Sequence, residues 1–167
     1  MRFTEVIYLY MVFEKYVSGH IAEIQKLQND KPDILKKIKS KNQCGLVEAT
    51  QIYFRDVLNW SLLNDEEWVT LREIEEVRHC IVHNAGLARD RKHPDLIYHL
   101  SSRIWREQSV GIDIDRPQQK DIGQPIIIQQ RFLEFCLDLL ERFFNALIEE
   151  THAKFWNKKS SSKRSSA

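Results

Sequence analysis

A chain of 167 residues is long enough for one domain with a proper core and too short for two comfortable ones. Hydrophobic residues at 43% and charged residues at 29% read as soluble and globular, and Lys+Arg 25 against Asp+Glu 24 leaves no global electrostatic claim on nucleic acid, so any RNA affinity must come from local patches. Cys44, Cys80 and Cys136 are widely spaced and odd in number, which argues against a disulfide framework or a paired metal motif and suits a reducing, cytoplasmic setting.

The apolar run from Val6 to Phe13 is bounded by Glu5 and Glu14 and falls far below the ~18 residues a membrane span needs. Glu5 also stands where a secretory leader carries positive charge, so neither a membrane partner nor a leader is expected. Residues 2 to 28 read as one long helix, with Phe3, Ile7, Tyr10, Val17, Ile21 and Ile24 on a stripe broken by Glu14. Asn29 to Pro32 is a turn, and Pro32 suits the first position of a short Lys-rich helix through Lys41. Its basic cluster, Lys31, Lys36, Lys37, Lys39 and Lys41, is read as solvated surface before it is read as a contact for RNA backbone. After the break at Gln43-Cys44-Gly45, Leu46, Thr50, Tyr53, Val57 and Trp60 define another amphipathic helix to about Asn59.

Asp65 is the expected N-cap of the next helix, with Glu66 and Glu67 favouring the positive end of its macrodipole. On a helical wheel with Trp68 at zero, Val77, Ile81, Ile74, Leu71 and Val82 fill an arc from about 180° to about 320°, and Arg78 lands inside it at about 280°. A guanidinium on a core-facing stripe requires an acidic partner, a subunit contact or a phosphate ligand to compensate its desolvation. Gly86 offers the left-handed stop that helix ends favour.

Arg78-His79-Cys80-Ile81-Val82-His83, followed by Asn84 and Gly86, resembles the Arg-x-x-x-x-His signature of the HEPN superfamily, small helical domains that include many metal-independent RNases. The resemblance extends as a pattern over roughly residues 1 to 155, but its specific part is this short stretch. It implies an all-α fold, a HEPN-like up-down bundle of four to five helices spanning residues 1–157, with an irregular insertion over about 87–124 before the C-terminal helix. Many members carry Asn directly after the Arg, where this chain has His79. In the antitoxin-modified branch a Tyr stands two residues after the His; Ala85 occupies that position, so nucleotidylation there is not expected.

Beyond Gly86, Arg89-Asp90-Arg91-Lys92-His93-Pro94 opens the insertion, which reads as a short helix near residues 95 to 105 and a strand pair around Val110, Ile112 and Ile114. Arg89, Arg91 and Lys92 follow His83 closely and are candidates to hold an RNA strand, beside the plainer reading of an exposed basic loop. Pro125 is expected to start the last helix, where Phe132, Phe135, Cys136, Leu139, Phe143, Ala146 and Leu147 face inward. Leu140, Phe144 and Ile148 widen that face, which suits burial in the bundle centre or a dimer seam. Residues 158–167 form a basic, Ser-rich tail with the composition of disorder.

RNA cleavage without a metal requires a base for the 2′-hydroxyl, charge stabilisation at phosphorus and an acid for the 5′-oxygen. Histidine, with an unperturbed pKa of about 6.5, suits the proton transfers, and arginine's planar fork suits the phosphorus. His83 is therefore the expected acid/base and Arg78 the phosphate clamp, with His79 and Asn84 as auxiliary groups. The resemblance implies a homodimer that completes the site, a toxin or phage-defence role, and room for an antitoxin partner. The competing structural reading pairs Arg78 with Glu75 or another buried acid and leaves His83 as a helix cap. A catalytically inactive helical module that binds RNA or protein is the functional alternative. No cofactor is expected. Glu75, His79 and His83 share a helical face, and Glu76-x-x-His79 recurs as Glu149-x-x-His152, yet a di-iron centre also needs inward Glu residues from two further helices, so no metal is assigned.

Overall fold

Apolar residues at three- and four-residue spacing share one helix face, and segments of this kind dominate the computed structural model, which describes residues 2–28, 33–88, 112–114 and 124–156. The helices are α1 (Phe3–Gln28), α2 (Ile34–Asn42), α3 (Leu46–Ile52), α4 (Asp65–His83) and α5 (Gln130–Thr151). The described residues are thus mostly helical, as expected of an all-α chain. Among them no helix is long and apolar enough to cross a membrane.

α1 and α5 run in the same direction: Arg2 donates to Gln130, Phe13 packs on Phe143 and His20 meets Thr151. α4 runs opposite to both, since Tyr10 meets Glu75 while Phe3 lies against Gly86, and Trp68 packs on Phe143. Phe143 is the centre of this packing, fully buried, with the rings of Phe13, Trp68 and Phe54 at 5.4, 5.8 and 6.4 Å. Edge-on aromatic contacts of this kind each add about 0.5–1.5 kcal/mol beyond the area they bury. On the rest of α5, Leu140 and Phe144 are half-buried and Ile148 is exposed, so the broad apolar face is only partly covered.

Several boundaries differ from expectation for identifiable reasons. Asn64, not Asp65, caps α4: its side chain accepts from Glu67 N at 2.9 Å while the Glu67 carboxylate accepts from Asn64 N at 3.0 Å, a reciprocal capping box. α3 passes into a π-helical turn, Tyr53–Val57, which buries the consecutive aromatics Tyr53 and Phe54 together and leaves Val57 exposed. Pro125 does not open the last helix. It lies in a strand, Gln124–Ile128, because Ile126, Ile127 and Ile128 are β-branched and alternate buried, exposed, buried.

That strand, β3, is the middle of a small antiparallel sheet with β1 (Leu87–Ala88) and β2 (Ile112–Ile114), in the order β1-β3-β2. Leu87 pairs with Pro125 and Ile112 with Ile128. The expected insertion therefore returns to the domain as strands on both sides of β3. The expected helix near residues 95 to 105 and the tail at 158–167 lie outside the described residues, as does the turn at 29–32.

Candidate functional site

The C-terminal end of α4 is held from two directions. Asn84 N and Gly86 N both donate to the Cys80 carbonyl at 3.0 Å, and the chain leaves the helix through two left-handed residues, Ala85 at φ 53 and Gly86 at φ 77. A Cβ on Gly86 would stand 2.5 Å from the Phe3 ring, so α1 closes against the turn only because residue 86 has none. The Gly86 carbonyl in turn accepts from Ile126 N at 2.9 Å, which ties the turn to β3. Asn84 is buried and its amide donates to the Cys80 sulfur at 3.8 Å.

One turn and a half before that end, Arg78 lies over the Tyr10 ring, its guanidinium carbon 5.5 Å from the ring centre. The acid expected to neutralise it, Glu75, is committed elsewhere. Glu75 Oε1 accepts from the Tyr10 hydroxyl at 2.5 Å and from Leu46 N at 3.0 Å. It thereby caps α3, whose own N-cap residue, Gly45, has no side chain to offer. Gly45 is also where the carboxylate fits, since a Cβ there would meet Glu75 Oε2 at 2.6 Å. Burial, followed by the charge and hydrogen bond of Glu75, holds the Tyr10 phenol well above the ordinary tyrosine range, so its O–H stays a donor.

Arg78 is left half-buried with an Nε that is buried and has no hydrogen-bond partner among the described residues. A buried N–H without an acceptor forfeits about 1–3 kcal/mol, more when it belongs to a charged group. The cation–π contact with Tyr10 offsets part of that cost, at about 0.5–2 kcal/mol. Among the described residues the guanidinium makes no hydrogen bond or ion pair and is not locked onto an interior carboxylate.

Arg78 and His79 form one wall of a cavity of about 910 Å³ between α1, α2, the start of α3 and α4. Its lining also includes Tyr10, Lys39, Arg72 and the carboxylates of Glu14, Glu48, Glu75 and Glu76. Arg72 donates to Gln51 at 2.6 Å. His79 is half-buried, and its ring stands 4.5 Å from that of His83, centre to centre, tilted by 46°. His83 is exposed and lies one turn beyond the cavity, outside its lining. The structure therefore brings Arg78 and His79 to one cavity, with His83 joined to it through His79. Arg89, Arg91 and Lys92 fall outside the described residues.

With Glu75 turned towards Tyr10 and Leu46, the trio Glu75, His79 and His83 is not assembled around a common point, and among the described residues no three His, Cys, Asp or Glu side chains are placed to hold a metal ion. Sequence reasoning missed Tyr10 as a site residue and the fully buried carboxylate of Glu73. A tyrosine on an apolar stripe needs a partner for its hydroxyl, and that was the available signal for Tyr10. Comparison with family models, with curated proteins and with solved structures finds no match to this chain, so the likeness to the HEPN superfamily rests on the Arg78–His83 stretch and its setting.

Proposed function

We propose that the chain is a HEPN-type, metal-independent endoribonuclease in which Arg78 binds the scissile phosphate and His83 transfers protons. The observation that carries this reading is the Arg78 Nε, buried without an acceptor while Glu75, the acid one turn before it, is bonded to Tyr10 and Leu46. A fold that pays to desolvate a guanidinium and withholds a carboxylate from it keeps that charge for a ligand.

In the proposed reaction an imidazole removes the 2′-hydroxyl proton, the 2′-oxygen bonds to phosphorus, and the bond from phosphorus to the 5′-oxygen breaks. A second imidazole gives its proton to the departing 5′-oxygen, and Arg78 stabilises the added negative charge on the phosphoryl oxygens. In this reading His79, which lines the cavity with Arg78 and lies near His83, orients the phosphate. A second copy facing the exposed end of α4, where Val82 is 42% exposed beside His83, supplies the further His and Arg. The biological setting that goes with this reading is a toxin or phage-defence effector, with an antitoxin as its control.

One observation favours the alternative of a silent RNA- or protein-binding module: His83 lies outside the cavity that Arg78 lines. Incubating the protein with RNA in EDTA and identifying the product ends separates the two. Cleavage that leaves 2′,3′-cyclic phosphate and 5′-hydroxyl ends supports the nuclease. RNA that is bound and stays intact at all protein concentrations supports the module.

A further inference from the structure

The cavity beside Arg78 is not built like a groove for a nucleic-acid backbone. Phosphate-tracking surfaces are dominated by Lys and Arg, whereas here Glu14, Glu48, Glu75 and Glu76 outnumber Lys39, Arg72 and Arg78. A divalent cation or a polyamine is disfavoured in turn by those three basic side chains. The lining suits a ligand that presents an anion to Arg78 and hydrogen-bond donors to the carboxylates.

The carboxylates differ in what they have left to offer. Glu75 is occupied by Tyr10 and Leu46, while Glu14, Glu48 and Glu76 have no hydrogen bond or ion pair among the described residues. Of these three only Glu76 is half-buried; Glu14 and Glu48 are exposed. A carboxylate partly removed from water makes the stronger and more selective contact. Glu76 also lines the same cavity as Arg78 from the same helix, and at a spacing of two residues the two side chains meet it from opposite edges of that helix face.

We infer that this cavity is a nucleobase subsite that selects guanine, with the Glu76 carboxylate accepting from the guanine N1–H and N2–H and Arg78 holding the adjoining phosphate. Among the four RNA bases guanine alone carries two neighbouring donors on its pairing edge, matched to the two oxygens of one carboxylate. Uracil turns two carbonyl oxygens and one N–H to the same place and meets repulsion. A site built to satisfy a particular set of donors rejects a ligand lacking them more strongly than an apolar pocket does. The subsite rests on the reading of Arg78 as the phosphate-binding group, and its specificity depends on Glu76.

The test is titration of the full chain with GMP, AMP, CMP, UMP and inorganic phosphate, followed by amide NMR shifts, for the wild type, Glu76→Gln and Arg78→Ala. Wild type should bind GMP at least about tenfold more tightly than UMP, the factor one charge-assisted hydrogen bond supplies. Glu76→Gln should abolish the difference between GMP and UMP, weakening GMP and relieving the repulsion of UMP, with inorganic phosphate bound no more weakly than by wild type, and Arg78→Ala should weaken all five probes. Because Glu76 makes no hydrogen bond within the described fold, its substitution leaves folding intact, which the NMR spectrum itself verifies. Equal affinity for GMP and UMP in wild type, or a GMP preference that survives Glu76→Gln, overturns the subsite even if Arg78→Ala abolishes phosphate binding. A Glu76-dependent GMP preference with phosphate binding unchanged in Arg78→Ala keeps the base contact and overturns the role of Arg78.

Discussion

Tyr10 and Glu75 stand 65 positions apart and join α1 to α4, and through Leu46 N to the start of α3, so their hydrogen bond should be visible as a coupling energy. Tyr10→Phe keeps the ring beneath Arg78 and removes only the hydroxyl; losing a hydrogen bond to a charged acceptor costs about 1.5–3 kcal/mol. Glu75→Ala strands two donors, the buried Tyr10 hydroxyl and Leu46 N–H. At about 1–3 kcal/mol for each stranded group, its cost should be about 2–6 kcal/mol. Once Glu75 is gone, removing the Tyr10 hydroxyl takes away a stranded donor, so the double variant should be more stable than the sum of the single losses by about 1–3 kcal/mol. Urea unfolding of the four proteins followed by far-UV circular dichroism measures this directly. Losses that add to within about 0.5 kcal/mol would refute the coupling and, with it, the explanation for why Glu75 leaves Arg78 unneutralised.

Three further outcomes follow from the geometry. Gly86→Ala forces a Cβ onto a left-handed residue and against the Phe3 ring; it should cost at least about 1–2 kcal/mol and show as a fall in Tm. Asn64→Ala removes the acceptor for Glu67 N and should lower stability by about 1 kcal/mol in the same melt. His20 is held below its ordinary pKa chiefly by burial, so the folded state takes up its proton less readily than the unfolded one. That contribution to stability is complete above the unfolded pKa of about 6.5 and is lost as pH falls through the depressed folded value, so His20→Gln should flatten stability against pH below about 6.5 in urea titrations. A profile for His20→Gln that is parallel to wild type would contradict it.

Helices were legible wherever burial is one-sided. α1 buries Tyr10, Val17, Ile21 and Ile24 at the expected spacing, because a stripe of this period has no other stable use. The stripe's true extent also takes in Val6 and Phe13, with Phe3 and Ile7 at its half-buried edge. Pro125 misled because proline is favoured in a first helical turn and is tolerated in a sheet only near a strand's start or edge, and the pairing of β3 with β1 and β2 is decided only in three dimensions. Val82, at the edge of the apolar arc of α4, is exposed, whereas Ile81 and Asn84 beside it are buried.

The candidate site was legible in its residue types and less so in its arrangement. Arg78 stood out because a permanent charge on a core-facing arc needs an explanation. Its actual support, a tyrosine ring from α1 and a glutamate turned away to cap α3, depends on contacts between segments distant in sequence, and no local pattern announces them. Asn84 was legible as part of a motif, but not the contact its short side chain makes with the Cys80 sulfur one turn back.

Under the proposed function Arg78 and His83 together cleave RNA without a metal. Initial rates of RNA cleavage in EDTA, compared for wild type, Arg78→Ala and His83→Ala after circular dichroism has shown all three folded, test it most directly. Loss of an aimed charge donor predicts a fall of roughly 10²–10³ for Arg78→Ala, and loss of a proton-transfer group a fall of roughly 10²–10⁴ for His83→Ala. Rates equal to wild type in either variant would contradict the claim.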